Sequence, residues 1–243
     1  NLTYCISQLK DIKFFKLNNL ERFFNPIKYF FFKILNKLNC YKFKHFQDNK
    51  INYCLELKNE SKKNIWYYGY FQGECYFFSN EKEIRRRFQI KKKHVNAFLL
   101  IKNKIVGDSN YIVIHVRLKD YKTFGPEFLG GPDLTLPYSY YHETLKKINN
   151  NKLKVIFLSD DIKEVKKEFF YVKNAYFSNF SSIIDLQFII NAQYCILSCS
   201  TFSWWGAWLN NIPNKKVFIP EYFLGHKVKE EYPINIIPKK WET

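Results

Sequence analysis

The sequence contains no methionine, and no uninterrupted apolar run approaches the roughly 18 to 20 residues that a membrane-spanning helix requires. The longest candidate, Tyr29 to Leu38, is broken by Lys33 and Lys37. A secretory leader is also missing, because Asn1 to Lys10 has no charged segment feeding an apolar one and no small-residue cleavage site. Without an initiator residue, the expectation is a processed chain or a fragment whose first residues are absent. Cysteine is sparse: Cys5, Cys40, Cys54, Cys75, Cys195 and Cys199 form no Cys-x-x-Cys pair and are too few for a disulfide-stapled scaffold, so a reducing, cytoplasmic setting is expected. No histidine stands at ligand spacing from a cysteine pair, which argues against zinc.

What the chain does have is enough apolar residues, 47% of the total, to build a substantial core, which excludes a disordered protein. Its formal charge of +17 favours an anionic partner: nucleic acid, acidic lipid headgroups or a phosphorylated substrate. Following Pro26, the stretch Ile27 to Leu38 reads either as a surface helix with its Phe face in the core or as a basic amphipathic helix. The second reading would set the protein peripherally on the inner membrane surface. Arg85-Arg86-Arg87-Phe88 and Lys91 to Lys93 raise a nucleic-acid-binding module, but no zinc-finger, RRM or KH signature accompanies them, and a solvated helix face explains them more simply.

From Asn110 onward, strand and helix patterns alternate. Tyr111 to Ile114, Val155 to Leu158, Ala175 to Phe177, Tyr194 to Leu197 and Lys216 to Ile219 read as strands; Ser139 to Ile148, Ile162 to Phe170, Ser182 to Ala192 and Trp204 to Asn210 read as helices. Short connections between them predict an α/β domain with a doubly wound parallel sheet over residues 106–243. Residues 1–105 are less regular, with helical patches at Asn19 to Leu38 and Glu81 to Phe88, and are read as a partial domain.

The chemistry gathers where strands end. The first strand runs into His115-Val116-Arg117-Leu118-Lys119-Asp120, and ligands of doubly wound sheets bind beyond such ends. An arginine there can fork onto phosphate oxygens, and its charge survives at any working pH; the same six residues also read as a solvated charged loop. Ser159-Asp160-Asp161 ends the second strand and Ser198-Cys199-Ser200-Thr201-Phe202-Ser203 the fourth, where hydroxyls and helix N-terminal amides make an anion site. Asp160 and Asp161 suit a ribose or purine contact, or simple helix capping. Ser182 and Asp185 read as a capping box. Trp204, Trp205 and Trp208 crowd one helical turn around Gly206, more large rings than core packing usually spends there, and sugar stacking is the alternative use.

These segments together resemble the α-1,2-fucosyltransferases of glycosyltransferase family 11. That family carries a His-x-Arg-Arg-x-Asp element similar to His115 to Asp120, a Ser-Asp-Asp strand end similar to Ser159 to Asp161, and a Ser-x-x-Asp-Leu helix start similar to Ser182 to Leu186. Its Ser-Phe-Ser-Trp-Trp-Gly-Ala-Trp-Leu segment resembles Thr201 to Leu209, and its Gly-Tyr-Phe-Gln element matches Gly69 to Gln72. The resemblance implies a GT-B-like fold of two Rossmann-like domains, the first incomplete here, and inverting, metal-independent transfer of L-fucose from GDP-fucose to the 2-hydroxyl of a terminal galactose on a glycan. It further implies that Arg117 holds the β-phosphate, with His115, Lys119, Asp160, Asp185, Ser200, Thr201 and Ser203 lining the donor site. Trp204, Trp205, Tyr70 and Gln72 would face the acceptor, although core packing competes for Trp66 and for Gly69 to Gln72.

Two departures stand out: Leu118 occupies the place of the family's second arginine, with Lys119 the only neighbouring cation, and the family's opening Gly-Asn-x-x-Phe-Gln loop is not present before Leu2. For the general base, Asp120 ranks ahead of Glu127 and His115. Asp160-Asp161 makes a poor cage for a hard cation, so no metal or cofactor is expected. Within the same fold, an α-1,6-fucosyltransferase is the alternative, and the tryptophan segment favours the α-1,2 group.

Overall fold

A computed structural model describes residues 73–243, residue 34, and the backbones of two short strands, β1 (Lys42–His45) and β2 (Ile65–Tyr68), which pair in parallel. Residues 27–33 and 35–38, Tyr70, Gln72 and the side chain of Trp66 lie outside the described residues. Helices α1 (Glu81–Arg87) and α2 (Lys92–Ile105) lead into β3 (Tyr111–Val116), α3 (Tyr138–Ile148), β4 (Lys154–Ser159), α4 (Ile162–Glu168), β5 (Ala175–Phe177), α5 (Ser182–Ile190), β6 (Tyr194–Ile196), α6 (Thr201–Leu209) and β7 (Lys216–Phe218).

Strands β3 to β7 form one sheet in the order β5-β4-β3-β6-β7, every neighbouring pair parallel. All six residues of β3 are buried, as a strand covered on both faces requires. Ile112, Ile114 and Val116 join one core with Tyr141 of α3 and Val165 of α4; Tyr111 and Val113 join the other with α5 and Phe98 of α2. The chain winds outward from β3 through β4 to β5, then returns to the other side of β3 for β6 and β7. This is the expected doubly wound α/β arrangement, consistent with a GT-B-like glycosyltransferase fold. Its core takes in α2, which the sequence reading did not anticipate and which lies ahead of residue 106.

Local chemistry sets the helix ends. Asp161 caps α4 by accepting from the Glu164 amide at 3.2 Å. Helix α6 begins at Thr201, three residues before the expected Trp204, because extended Ser200 serves as its N-cap and Ser203 Oγ donates back to the Ser200 carbonyl at 3.0 Å. The capping box expected at Ser182 and Asp185 does not form: Ser181 is the cap residue, which puts Asp185 one position too far along, and its carboxylate instead accepts from Ser178 Oγ at 2.5 Å. At Gly206 an added Cβ would lie 2.8 Å from Ile189 Cγ2, so only glycine allows α6 to sit this close to α5. Cys195 and Cys199 are free, but Cys75 is disulfide-bonded; spacing along a chain does not report which thiols meet in space.

Candidate active site

The strand order reverses between β3 and β6, and the residues leaving their C-terminal ends meet there. His115 Nδ1 and Ser198 Oγ share a hydrogen bond of 2.8 Å across the seam. Tyr121, in the short helical turn Lys119–Lys122, donates its hydroxyl to the Cys199 carbonyl at 2.7 Å. Sequence reasoning missed Tyr121, whose partner is far away along the chain. Its position one residue after Asp120, at the end of the charged segment, was the available signal.

Arg117 stands at the mouth of the seam with its side chain 26% exposed. Its guanidinium donates to Asp120 at 2.8 Å, lies 3.4 Å from Asp160 Oδ2 through Nε, and sits 5.5 Å from the Tyr121 ring centroid. Burial opposes this charge, but the hydrogen bond to Asp120 and the field of Asp160 outweigh it and raise the pKa. The other oxygen of Asp160 accepts from the Leu118 amide at 2.9 Å, so this one carboxylate braces both the backbone and the cation at the exit of β3. Asp160 Oδ2 is buried and, beyond this ion pair with Arg117, has no hydrogen-bond partner among the described residues.

Across the seam, buried Ser200 and half-buried Thr201 open α6, whose first amides have no carbonyl within the helix to bond. Such a helix start attracts anions. Ser203 is fully buried and spends its hydroxyl on the Ser200 carbonyl, so it shapes the turn. Asp185 lies near the end of β5, its pKa raised to about 7 by burial against the lowering effect of Ser178.

Several expected roles change. His115 is buried, and burial followed by the charge of Arg117 lowers its pKa to about 3. It is a neutral imidazole of low basicity, suited to tying β3 to β6 and poorly suited to taking a proton. Trp204 is 2% exposed, donates Nε1 to the Ile236 carbonyl at 2.8 Å and stacks with Trp208. Trp205 stacks on Phe77 at 5.2 Å and Phe88 at 5.3 Å. These rings fill the joint between α6 and α1, which is core packing and leaves the expected sugar platform without its tryptophans. Leu118 is buried in the core, whereas Lys119 and Glu127 are exposed, Glu127 on the turn Glu127–Leu129. Among the described residues, Arg117 is thus the cation that the fold presents at the seam.

The profile of glycosyl transferase family 11 matches residues 9–232. The chain belongs to glycosyl transferase family 11. It is 30% identical over 181 residues to the O-antigen biosynthesis glycosyltransferase WbnK of Escherichia coli, covering 70% of this chain and 59% of that protein. It is 28% identical over 200 residues to an alpha-1,2-colitosyltransferase of Escherichia coli, covering 78% of this chain and 66% of that protein. The matches thus span less than two thirds of either relative's length. Family membership supports a glycosyltransferase, and the nucleic-acid module has no comparable support.

Proposed function

We propose that the protein transfers L-fucose from GDP-fucose to the 2-hydroxyl of a terminal galactose-type sugar on a glycan, with inversion and without a metal, in the cytoplasm. The observation that carries this reading is Arg117, braced by Asp120 and Asp160 where the sheet reverses and flanked by the free amides of α6. A pyrophosphate matches that set of donors: the guanidinium takes the β-phosphate, and the α6 start takes charge that grows as GDP departs. Asp160 Oδ2, ion-paired with Arg117 but without a hydrogen bond, suits a ribose or sugar hydroxyl. Asp120, paired with Arg117 at 2.8 Å, is the first candidate for activating the acceptor hydroxyl, a role that inversion requires it to play from the face of the sugar opposite the departing phosphate.

The relative named for α-1,2 transfer supports that linkage over the α-1,6 alternative, and the O-antigen relative supports a surface polysaccharide as acceptor. A second reading, favoured by the colitosyltransferase likeness, keeps the site and linkage and replaces fucose with colitose. Calorimetry with GDP and GDP-fucose in the absence of metal, on the wild type and on Arg117→Ala, tests the proposal. Binding lost in the variant supports it; absence of binding to the wild type overturns it. Turnover on GDP-fucose against GDP-colitose separates the two donors, and a rate that EDTA abolishes and manganese restores would refute metal independence.

A further inference from the structure

Residues 81–105 carry nine Lys or Arg against two Glu, and nothing in the donor site uses them. Helix α2 is amphipathic, with its inner side on α5: Phe98 meets Phe188 edge-on at 5.1 Å, and Gln187 Nε2 donates to the His94 carbonyl at 3.1 Å. Its outer side exposes Lys92, Lys93, Asn96, Asn103 and Lys104, and among them two leucines, Leu99 at 47% and Leu100 at 68% exposure. Between α1, α2 and α5 opens a cavity of about 500 Å³ lined by Lys82, Arg85 and Arg86 together with Phe88, Ile90 and Leu99. Arg85 and Arg86 pair with Glu81 and Glu83 of their own helix, contacts of a kind that a phosphate can readily replace.

We infer that the α1–α2 face docks the protein on an anionic phospholipid membrane, with lipid phosphates on the cavity's cations and Leu99 and Leu100 entering the headgroup boundary. The mixture of chemistries selects this occupant. A nucleic acid would use the charge and gain nothing from exposed leucines, a second copy would set nine cations against nine, and a small soluble anion would leave Leu100 in water. Basic residues around exposed aliphatic side chains are what an interfacial helix presents to acidic lipid.

Co-sedimentation of the full chain with phosphatidylcholine vesicles, with and without phosphatidylglycerol, tests this. Binding that requires phosphatidylglycerol and falls with salt is expected, about thirtyfold weaker in Lys92→Gln/Lys93→Gln and about tenfold weaker in Leu100→Ser. Lys146→Gln/Lys147→Gln, the same charge change on α3 across the sheet, should alter binding by less than about twofold. An equal loss in this control, binding indifferent to Leu100→Ser, or a concentration-dependent dimer broken by Leu100→Ser would each overturn the inference. Thermal unfolding of each variant checks its fold, and GDP binding on the same variants keeps a failure here distinct from a failure of the proposed donor site.

Discussion

The two edges of the central sheet differ in a way that cavity size does not capture. At the N-terminal edge a cavity of about 610 Å³ is lined by Ile112, Leu145 and Val155 and rimmed by asparagines that precede β4 and β5. Its polar groups largely answer one another: Tyr171 hydroxyl and His142 Nδ1 are 2.5 Å apart, and His142 Nε2 is 2.8 Å from Glu168. At the C-terminal edge the seam between β3 and β6 instead gathers charge and unfilled hydrogen-bonding capacity: Arg117 paired with Asp120 and Asp160, an Asp160 oxygen that meets Arg117 as an ion pair at 3.4 Å without a hydrogen bond, and a first turn of α6 that no side chain caps. Buried polar groups are costly when their hydrogen-bonding capacity is unfilled, which supports the proposed donor site at this edge.

The largest effect that separates the edges should come from Arg117→Ala. Loss of a preorganised donor to the departing phosphate is expected to lower kcat by about 10² to 10³ in single-turnover fucosyl transfer. The matching change at the other edge, Lys146→Ala, should leave turnover within about twofold. A reversal would move the site to the N-terminal cavity. Next comes Asp160→Asn, which retains an acceptor for the Leu118 amide while removing the negative charge that faces Arg117. A drop of about tenfold in kcat/KM, mostly in the KM for the donor, is expected if Asp160 orients the guanidinium. An unchanged KM with collapsed kcat would instead assign Asp160 to the acceptor side.

Much of the seam is legible in the amino-acid sequence because it is built from local signals. The apolar run from Tyr111 to Ile114 ends at charged residues, and Ser200 sits before a helical pattern, so both strand ends and the anion-binding turn follow from neighbours in the chain. What the residues conceal is non-local. The spacing of Val95, Phe98, Ile101 and Ile105 is helical, but lysines and asparagines between them mask α2 until α5 is present to receive Phe98. Trp204 and Trp205 offer the same ring chemistry to a sugar as to a core, and only the placement of Phe77 and Phe88 decides between them. Tyr121 bonds to Cys199 across the seam, a contact no window of sequence contains.

The pH dependence of stability sharpens the contrast, since two titrating groups near the C-terminal edge act in opposite directions. His115 has its pKa held to about 3 against 6.5, so the unfolded chain takes up a proton that the fold refuses. Its stabilising contribution is present above pH 6.5 and is lost as the pH falls toward 3. Asp185 is raised from 3.8 to about 7, so the fold keeps a proton that the unfolded chain releases. That contribution is present below pH 3.8 and is lost as the pH rises through 7. Urea midpoints measured against pH should therefore lose part of their acid limb in His115→Asn and part of their neutral limb in Asp185→Asn. Parallel shifts in both variants would show that neither group is held as described.

The smallest expected effect belongs to the N-terminal edge. Tyr171→Phe removes one end of the chain that runs through His142 to Glu168 while keeping the ring. Tyr171 is half exposed, so water can replace its hydroxyl at His142, and a stability loss of about 1 kcal/mol or less is expected by urea unfolding. Transfer rate should not change, because no atom of this network reaches the seam. A loss of transfer without a loss of stability would mean that the satisfied network serves turnover, and enclosure would then count for as much as unfilled hydrogen-bonding capacity in marking where this fold does its chemistry.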